Sequence, residues 1–355
     1  MGQAKIKYAC VIQFVLLIAI LPINSIQAQD SKSTKPVSTG YHLLQKIEVG
    51  GEGGWDYLSL DSEARRLYVS HATHVVVIDV DKAAIVGDIA NTNGVHGIAI
   101  ASDLGRGFIS DGRDSKVTIF DLKTLKVLGE AKVGKNPDAI LYDVSTHRVF
   151  AFNRGSSDVT AIEGADGTVT GTIALGGHPE FATADGKGGV YVNLDDKSEI
   201  VALDSRKLTV KTRWSVAPGQ DPSGMAIDPQ HQRLFSVCGN QKMIVSDFAK
   251  GVVVSIVPIG TGTDAAAFDP GAKMVFSSNG EGTLTVVREV STGKYSVIEN
   301  ARTQRGARTM ALDLKTHKVY LATALFGPPP AATPERPNPR PVMVPGSFVI
   351  LVFGK

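Results

Sequence analysis

Four side chains of the types that bind metal ions lie at the ends of short apolar segments: His71, His96, Asp138 and Glu180. Two imidazoles with a carboxylate form a donor set for zinc or another transition metal. Acidic and asparagine side chains could instead hold calcium through oxygen ligands. The simpler interpretation is that these groups face solvent or bond a neighbouring loop. The sequence therefore predicts no cofactor, and leaves a bound metal ion as an open alternative.

The sequence contains none of the common motifs that pair a nucleophile with a base, bind haem or cradle a phosphate: G-x-S-x-G, H-E-x-x-H, C-x-x-C-H or a glycine-rich phosphate loop. Cys10 lies in the segment interpreted below as a signal peptide, so Cys238 is the one thiol of the mature chain. No base lies near it in sequence. We expect it to be a small buried residue at the end of a strand.

Three other histidines, His147, His231 and His317, occur at nearly the same position of three repeats. Their recurrence within polar turns predicts a turn role and not a ligand role. The aspartates that recur in the same turns are expected to cap them by accepting backbone N–H bonds.

A pattern of about 42 residues repeats seven times through the chain. Each copy has a short apolar strand, a polar turn, a second strand that opens on an aromatic residue, and two further strands. The turn position steps by 40 to 44 residues and is occupied by Asp61, Ala101, Asp143, Asp185, Asp228, Asp269 and Asp313. The aromatic residues are Tyr68, Phe108, Phe150, Tyr191, Phe235, Phe276 and Tyr320. Four short strands at this period are the unit of a β-propeller blade.

The seventh copy is incomplete, because its third strand is delayed until 348–352 and no fourth strand follows. The segment 43–50 (LLQKIEVG) resembles the fourth strands of the other copies. We therefore predict an all-β, seven-bladed β-propeller of four-stranded antiparallel blades, closed by the N-terminal strand pairing with the C-terminal blade. Six blades with a stray strand is the alternative.

The repeats resemble those of the YncE-like, YVTN-repeat propellers, a family of exported bacterial proteins. In that family an aromatic-Val-[ST]-[ND] strand is followed by an apolar-apolar-Asp strand and a Val-Gly-x-x-Pro link. The matching residues here are Tyr68-Val69-Ser70-His71, Phe108-Ile109-Ser110-Asp111, Tyr191-Val192-Asn193, Ile78-Asp79, Phe120-Asp121, Leu203-Asp204, Val133-Gly134-Lys135-Asn136-Pro137 and Gly176-Gly177-His178-Pro179. No literal YVTN string occurs, and the first, fifth and sixth repeats are looser. The resemblance covers nearly all of the mature chain, but it concerns core and turn residues and so implies a fold more than a function.

Alternating strand direction predicts that the links into each blade and the turns after each second strand share one face, at one mouth of the central channel. Loops on a rigid scaffold commonly carry binding sites. The residues expected to bind there are Trp55, Asp56, His71, His96, Asp111, Arg113, Asp138, Asn153, Arg154, Glu180, Asn193, Asp195, Asn240, Asn279 and Arg308. Asp264 falls on the same side. A proline-rich insertion at 326–346 interrupts the last blade and leaves from this face.

The N-terminus has the layout of a secretory signal peptide over residues 1–28, with Lys5 and Lys7 before an apolar run of about 14 residues. This run is too short to cross a bilayer of about 30 Å as a helix, although an uncleaved anchor is an alternative. Residues 29–40 are expected to be a flexible segment and 41–355 the propeller. The predicted location is the periplasm or the cell exterior, with no membrane span after cleavage.

Without residues 1–28 the chain carries equal numbers of basic and acidic residues, 35 of each. A neutral protein with no basic run lacks the electrostatic signature of nucleic-acid binding. We expect a monomeric, non-catalytic propeller that binds a small molecule or a protein through the channel-mouth face. A metal-dependent hydrolase or lactonase that uses the His, Asp, Glu and Asn groups there is the alternative.

Overall fold

The computed structural model describes residues 1–2, 40–333, 337, 339 and 341–355, and within these it has seven four-stranded antiparallel sheets. Each sheet is one blade of a β-propeller, with its first strand innermost. The seven-bladed prediction is confirmed.

In the first six blades the four strands follow one another along the chain. Blade 1 has β2 (Leu58–Asp61), β3 (Arg66–His71), β4 (His74–Asp79) and β5 (Ala84–Ile89). Blade 2 has β6 (Val95–Ala101), β7 (Arg106–Asp111), β8 (Lys116–Asp121) and β9 (Val127–Lys132). Blade 3 has β10 (Pro137–Asp143), β11 (Arg148–Asn153), β12 (Asp158–Glu163) and β13 (Val169–Ala174).

Blade 4 has β14 (Pro179–Ala184), β15 (Gly189–Leu194), β16 (Glu199–Asp204) and β17 (Thr209–Ser215). Blade 5 has β18 (Pro222–Asp228), β19 (Arg233–Cys238), β20 (Lys242–Asp247) and β21 (Val252–Pro258). Blade 6 has β22 (Thr263–Asp269), β23 (Met274–Asn279), β24 (Thr283–Ser291) and β25 (Lys294–Arg302). Two single-turn 3₁₀ helices lie in turns, Ser102–Leu104 and Asp195–Lys197.

The seventh blade joins the two ends of the propeller. Its strands are β26 (Thr309–Asp313), β27 (Lys318–Thr323), β28 (Val349–Gly354) and β1 (His42–Glu48), in that order from the channel outward. β1 pairs with β28 in antiparallel register, with Ile47 opposite Ile350. The predicted closing strand is thereby confirmed, and β1 is the outermost strand of this blade, as β5 and β9 are of the first two blades.

The repeated aromatic residues form the core because each is the third residue of a second strand and lies between neighbouring blades. Tyr68, Phe108, Phe150, Phe235 and Phe276 are fully buried. Tyr68 contacts Phe120 of the next blade, with ring centroids 5.7 Å apart. Burial of large apolar surface between blades is the main stabilising contribution in such a fold.

The repeated aspartates cap turns on the face opposite the channel mouth defined above. The Asp61 carboxylate accepts hydrogen bonds from the backbone N–H groups of Glu63 and Ala64, at 3.1 and 2.9 Å. The three turn histidines each pair with an aspartate. Nδ1 of His231 lies 2.7 Å from Asp228, and the partners of His147 and His317 are Asp103 and Asp269. These side chains stabilise turns, as their repeat position predicted.

The proline-rich insertion is anchored at its base by a short antiparallel pairing. Phe326 pairs with Met343, and backbone bonds join Gly327 to Val342 and Val344 to Leu325, at 2.8 Å each. The proline content of this segment favours an extended chain without internal hydrogen bonds, so the sequence provides no reason to expect this pairing.

The predicted signal peptide and the segment 29–40 lie outside the described residues, except for Met1, Gly2 and Gly40. In the part of the chain that the structure describes, no helix has the length and apolar content that crossing a membrane requires.

Candidate functional site

One position of each innermost strand repeats seven times around the central channel. In each blade, one residue of the innermost strand pairs with the residue that follows the repeated aromatic, as Leu58 does with Val69 and Ile98 with Ile109. The residue two positions before that innermost-strand residue places its side chain at the channel mouth. These seven residues, called the channel-mouth ring below, are Asp56, His96, Asp138, Glu180, Ser223, Asp264 and Arg308.

Blades 1 to 3 bring an imidazole between two carboxylates. Nδ1 of His96 lies 2.5 Å from Oδ2 of Asp56 and 3.7 Å from Oδ1 of Asp138. One donor atom from each of the three residues lies within 4.8 Å of the other two. The sequence predicted His96 and Asp138 as metal candidates, and the structure adds Asp56 from the predicted binding face.

The turn after β11 of blade 3 places an arginine between two acids of blade 4. Nη1 of Arg154 lies 2.5 Å from Oε2 of Glu180, and Nη2 lies 2.5 Å from Oδ2 of Asp195. The Glu180 side chain is thus held by a guanidinium, apart from the group formed by Asp56, His96 and Asp138. All three residues of this network were predicted to lie at the mouth.

Blades 5 to 7 complete the ring with a weaker network. The Ser223 hydroxyl donates a hydrogen bond to Oδ1 of Asp264 at 3.0 Å. Nε of Arg308 lies 3.4 Å from Oδ2 of the same carboxylate. The Arg308 side chain is about half exposed, 48%, so its guanidinium faces the mouth as well as Asp264.

Tyr57 crosses the channel just below the ring. Its hydroxyl donates a hydrogen bond to the carbonyl of Glu180 at 2.8 Å, and its ring stacks on Phe181 with centroids 5.6 Å apart. Burial raises the pKa of Tyr57 well above its usual value, so the phenol stays protonated. A cavity of about 110 Å³ remains between Tyr57, Ser59, Ile98, Glu180 and Asp264. The channel is therefore narrow beneath the ring.

Burial raises the pKa of three acids of the ring, of Asp138 to about 7, of Glu180 to about 8 and of Asp264 to about 6. For Glu180, burial and the charge of Asp138 outweigh the close contact with Arg154. Burial works against protonation of His96, but its hydrogen bond to Asp56 and the nearby acids raise its pKa overall. The cations of the ring therefore do not offset the cost of ionising its buried acids.

His71 does not join His96, although both were predicted as ligands of one ion. Its buried ring stacks on Phe348 with centroids 4.6 Å apart and contacts His74. Nε2 of His71 has no hydrogen-bond partner among the described residues, and burial lowers its pKa. Its neighbour Phe348 comes from the end of the chain, a contact that spacing within one repeat could not reveal.

Most residues predicted at the ends of the second strands bond within the scaffold, either inside their own blade or, for Asn193, to the carbonyl of Ser223 in the next blade at 2.6 Å. Asp111, Asn153, Asn193 and Asn279 are fully buried. Asp111 accepts a hydrogen bond from Thr118 at 2.5 Å, and Nδ2 of Asn279 donates to Thr283 and Thr285 at 3.0 Å each. These side chains position strands. The structure leaves Arg113 exposed, and Asn240 bonds the link before blade 5, accepting from the N–H of Gln220 and donating to the carbonyl of Pro218.

A groove opens beside the ring, between Trp55 and the proline-rich insertion. Its volume is about 720 Å³. Trp55 stacks on Phe348 at 4.8 Å between centroids and contacts Phe326 at 6.2 Å. The other lining side chains include Arg305, Arg308, Pro341, Val342, Met343 and Pro345. This groove, called the insertion groove below, has apolar walls with two guanidinium groups along one side.

Among the described residues, no serine or cysteine side chain bonds a histidine. The Tyr142 hydroxyl lies 2.9 Å from Nδ1 of His147, but this contact belongs to a turn of the opposite face. Within the described residues, the groups that bond or pair with the His96 ring are the two carboxylates. Cys238 is fully buried, and burial raises the pKa of its thiol to about 12, so it stays protonated.

Sequence reasoning missed Ser223, Tyr57 and the groove residues Arg305 and Phe326. Ser223 could have been found by aligning all seven copies on the aromatic residue, because it occupies the ring position of blade 5. The contribution of Phe326 depends on pairing inside the insertion, for which the sequence carries no periodic signal.

No protein-family model and no curated protein matches the sequence. Among solved structures, a chain of the Kuenenia stuttgartiensis hydrazine synthase is similar, with a TM-score of 0.67 at 14% sequence identity. The match covers 84% of this chain and 97% of the other. At this identity the likeness concerns the fold alone, and it supports the seven-bladed β-propeller architecture.

Proposed function

We propose that this chain is an exported, non-catalytic propeller of the YVTN-repeat type whose channel-mouth face binds a small molecule. The observation that carries the proposal is the insertion groove beside the channel-mouth ring. Its volume of about 720 Å³ falls within the range of small-molecule sites, about 300–1,000 Å³. The repeat motifs and the N-terminal signal pattern support the family and the export.

The lining of the groove favours a ligand with an aromatic or apolar body. Trp55 and Phe326 are rigid aromatic walls, and Val342 and Met343 extend them along the insertion. Arg305 and Arg308 offer several N–H donors at one side. Convergent polar groups on an apolar pocket are the usual means of orienting a bound molecule.

A monomer without nucleic-acid partners fits the balanced charge of the mature chain, 35 basic and 35 acidic residues. A protein partner at the same face would have to cover the insertion groove, so competition between the two is part of the proposal.

The proposal can be tested with the fluorescent probe 8-anilinonaphthalene-1-sulfonate, whose emission rises in apolar pockets. We expect saturable binding of one probe molecule, weakened by about tenfold or more in Trp55→Ala and in Phe326→Ala. Val144→Ala is the matched control, because Val144 is an exposed apolar residue (55%) in a turn of the opposite face. Equal binding by all four proteins would refute the groove as a ligand site.

Metal-dependent hydrolysis is the second candidate function, and the proximity of Asp56, His96 and Asp138 favours it. An ion held there could activate a water molecule for attack on a lactone or ester. Lactone hydrolysis that requires added zinc, and that His96→Ala abolishes, would make this second function the correct one.

A further inference from the structure

We propose that Asp56, His96 and Asp138 bind one divalent transition-metal ion at the channel mouth, with zinc the ion that best matches the donors. The inference deepens the proposed function and rests on it in taking the channel mouth as the binding face. It does not depend on the identity of the molecule in the insertion groove.

The three donors already lie close to the positions that one ion requires. Ligands about 2.1 Å from a tetrahedral ion are about 3.4 Å from one another. The distance from Nδ1 of His96 to Asp138 is 3.7 Å, and the distance to Asp56 is 2.5 Å. The second contact therefore has to open by about 1 Å as the His96 proton is replaced by the ion.

Asp138 gives an independent reason to expect an ion. The residue is 8% exposed, and its carboxylate accepts no hydrogen bond from any residue that the structure describes. Its nearest cationic group is Nδ1 of His96, which is bonded to Asp56 instead. A buried carboxylate without a donor is costly, and a cation between these three residues would remove that cost.

The backbone that carries the donors is held by the repeated serine of the second strands. Oγ of Ser70 accepts hydrogen bonds from the N–H groups of Asp56 and Tyr57, at 3.0 and 2.9 Å. The Ser110 hydroxyl accepts from Gly97 N–H at 2.8 Å and donates to the carbonyl of Asp138 at 2.5 Å. Preorganised supports of this kind keep ligand side chains in place before the ion arrives.

Gly112 leaves the space that the His96 ring occupies. A Cβ at this position would lie 2.7 Å from Cδ2 and Nε2 of the ring. Any larger residue at position 112 would move the imidazole away from the two carboxylates. The glycine in the turn after β7 therefore provides the space that the His96 imidazole needs.

The donor set favours a transition metal over calcium. One imidazole nitrogen with two carboxylates provides three protein ligands, and zinc sites with three ligands keep a position open for water or substrate. Calcium takes six to eight oxygen ligands, and imidazole nitrogen suits transition metals instead. The nearby acids Glu180 and Asp264 lie outside this donor group.

The test is calorimetric titration of the full-length purified protein, stripped with a chelator, using zinc chloride and calcium chloride separately. We expect one zinc ion per chain, with affinity lowered by about tenfold or more in His96→Ala and Asp138→Asn. His178→Ala is the matched control, because His178, Asp195 and Asp196 form the other donor group in the described residues, and that group is more exposed. Circular dichroism of each variant checks the fold, and Asp138→Asn changes no side-chain volume appreciably.

Absence of zinc binding, zinc binding unchanged in both ring variants, or loss in His178→Ala instead would overturn the assignment. Tighter binding of calcium than of zinc would overturn the choice of ion. The fluorescent-probe titration is run on the same samples. Probe binding without zinc binding contradicts the metal site alone, whereas loss of both contradicts the binding function as well.

Discussion

At the residue scale, the channel-mouth ring concentrates groups whose charges oppose one another. Four of its seven positions are acids, and they share the mouth with one imidazole and one guanidinium. Arg154 enters from the end of the neighbouring strand and binds Glu180. Asp138 has neither a hydrogen-bond donor among the described residues nor an arginine in contact, so the nearest cationic group to its carboxylate is the His96 ring at 3.7 Å.

The raised pKa of Asp138 predicts a specific dependence of stability on pH. The folded protein keeps a proton on this carboxyl up to pH about 7, whereas the unfolded chain releases it near pH 4. The free energy of unfolding therefore falls as pH rises from about 4 to about 7. Asp138→Asn removes this slope, so the variant should match the wild type near pH 4 and exceed it by about 1–3 kcal/mol near pH 8.

Chemical denaturation at several pH values, with a chelator present, measures this difference. Asp121→Asn is the control, since backbone and side-chain bonds from Thr124 lower the pKa of Asp121, so this group contributes no fall in stability as the pH rises. Parallel pH profiles for the wild type and Asp138→Asn would show that the ring does not hold an uncompensated carboxylate.

At the element scale, the strand that closes the propeller is mostly exposed and depends on few side chains. In β1, Ile47 is the one buried residue, 4% exposed, and it packs with the core between blades 7 and 1. It lies opposite Ile350 of β28. The other residues of β1 stabilise the blade through backbone hydrogen bonds to β28 more than through burial of their side chains.

Ile47→Ala should consequently weaken closure far more than a similar change elsewhere in β1. We expect a loss of about 2–4 kcal/mol in the free energy of unfolding. Leu43→Ala, at a residue 42% exposed in the same strand, should cost about 1 kcal/mol or less. Thermal denaturation of the two variants compares them, and deletion of 41–50 set against deletion of 29–38 repeats the comparison for whole segments. Similar effects within either pair would contradict closure by β1.

At the scale of the whole molecule, the scaffold could be predicted from the sequence to a greater extent than the site. Apolar strands, aromatic residues such as Tyr68 and turn aspartates such as Asp61 recur at one period, and each acts through neighbours that the repeat itself supplies. Asp56, His96 and Asp138 approach one another because they occupy the same position in adjacent blades. The sequence predicted His96 and Asp138 as metal candidates and placed Asp56 on the same face. The stacking of His71 on Phe348, and the groove wall at Phe326, depend on the last blade, where the insertion interrupts the repeat.

Because the insertion lies outside the repeated scaffold, we expect that it can be removed without loss of the fold. Thr323 and Val349 already pair across β27 and β28, so a short glycine-serine turn in place of 326–345 can join the two strands. Phe348 and Ile350, which fill the core between blades 7 and 1, are retained. We expect the melting temperature to stay within about 2 °C of the wild type, a change of about 1 kcal/mol or less for a chain of this size. The affinity for 8-anilinonaphthalene-1-sulfonate should fall by about tenfold or more, because one wall of the insertion groove is gone. Trp55→Ala with the insertion intact is the companion variant and should lose affinity to a similar degree.

A large drop in melting temperature would mean that the insertion belongs to the scaffold, and unchanged affinity would mean that the probe binds elsewhere. Zinc binding at Asp56, His96 and Asp138 should persist in the shortened chain, since none of the three contacts the insertion groove.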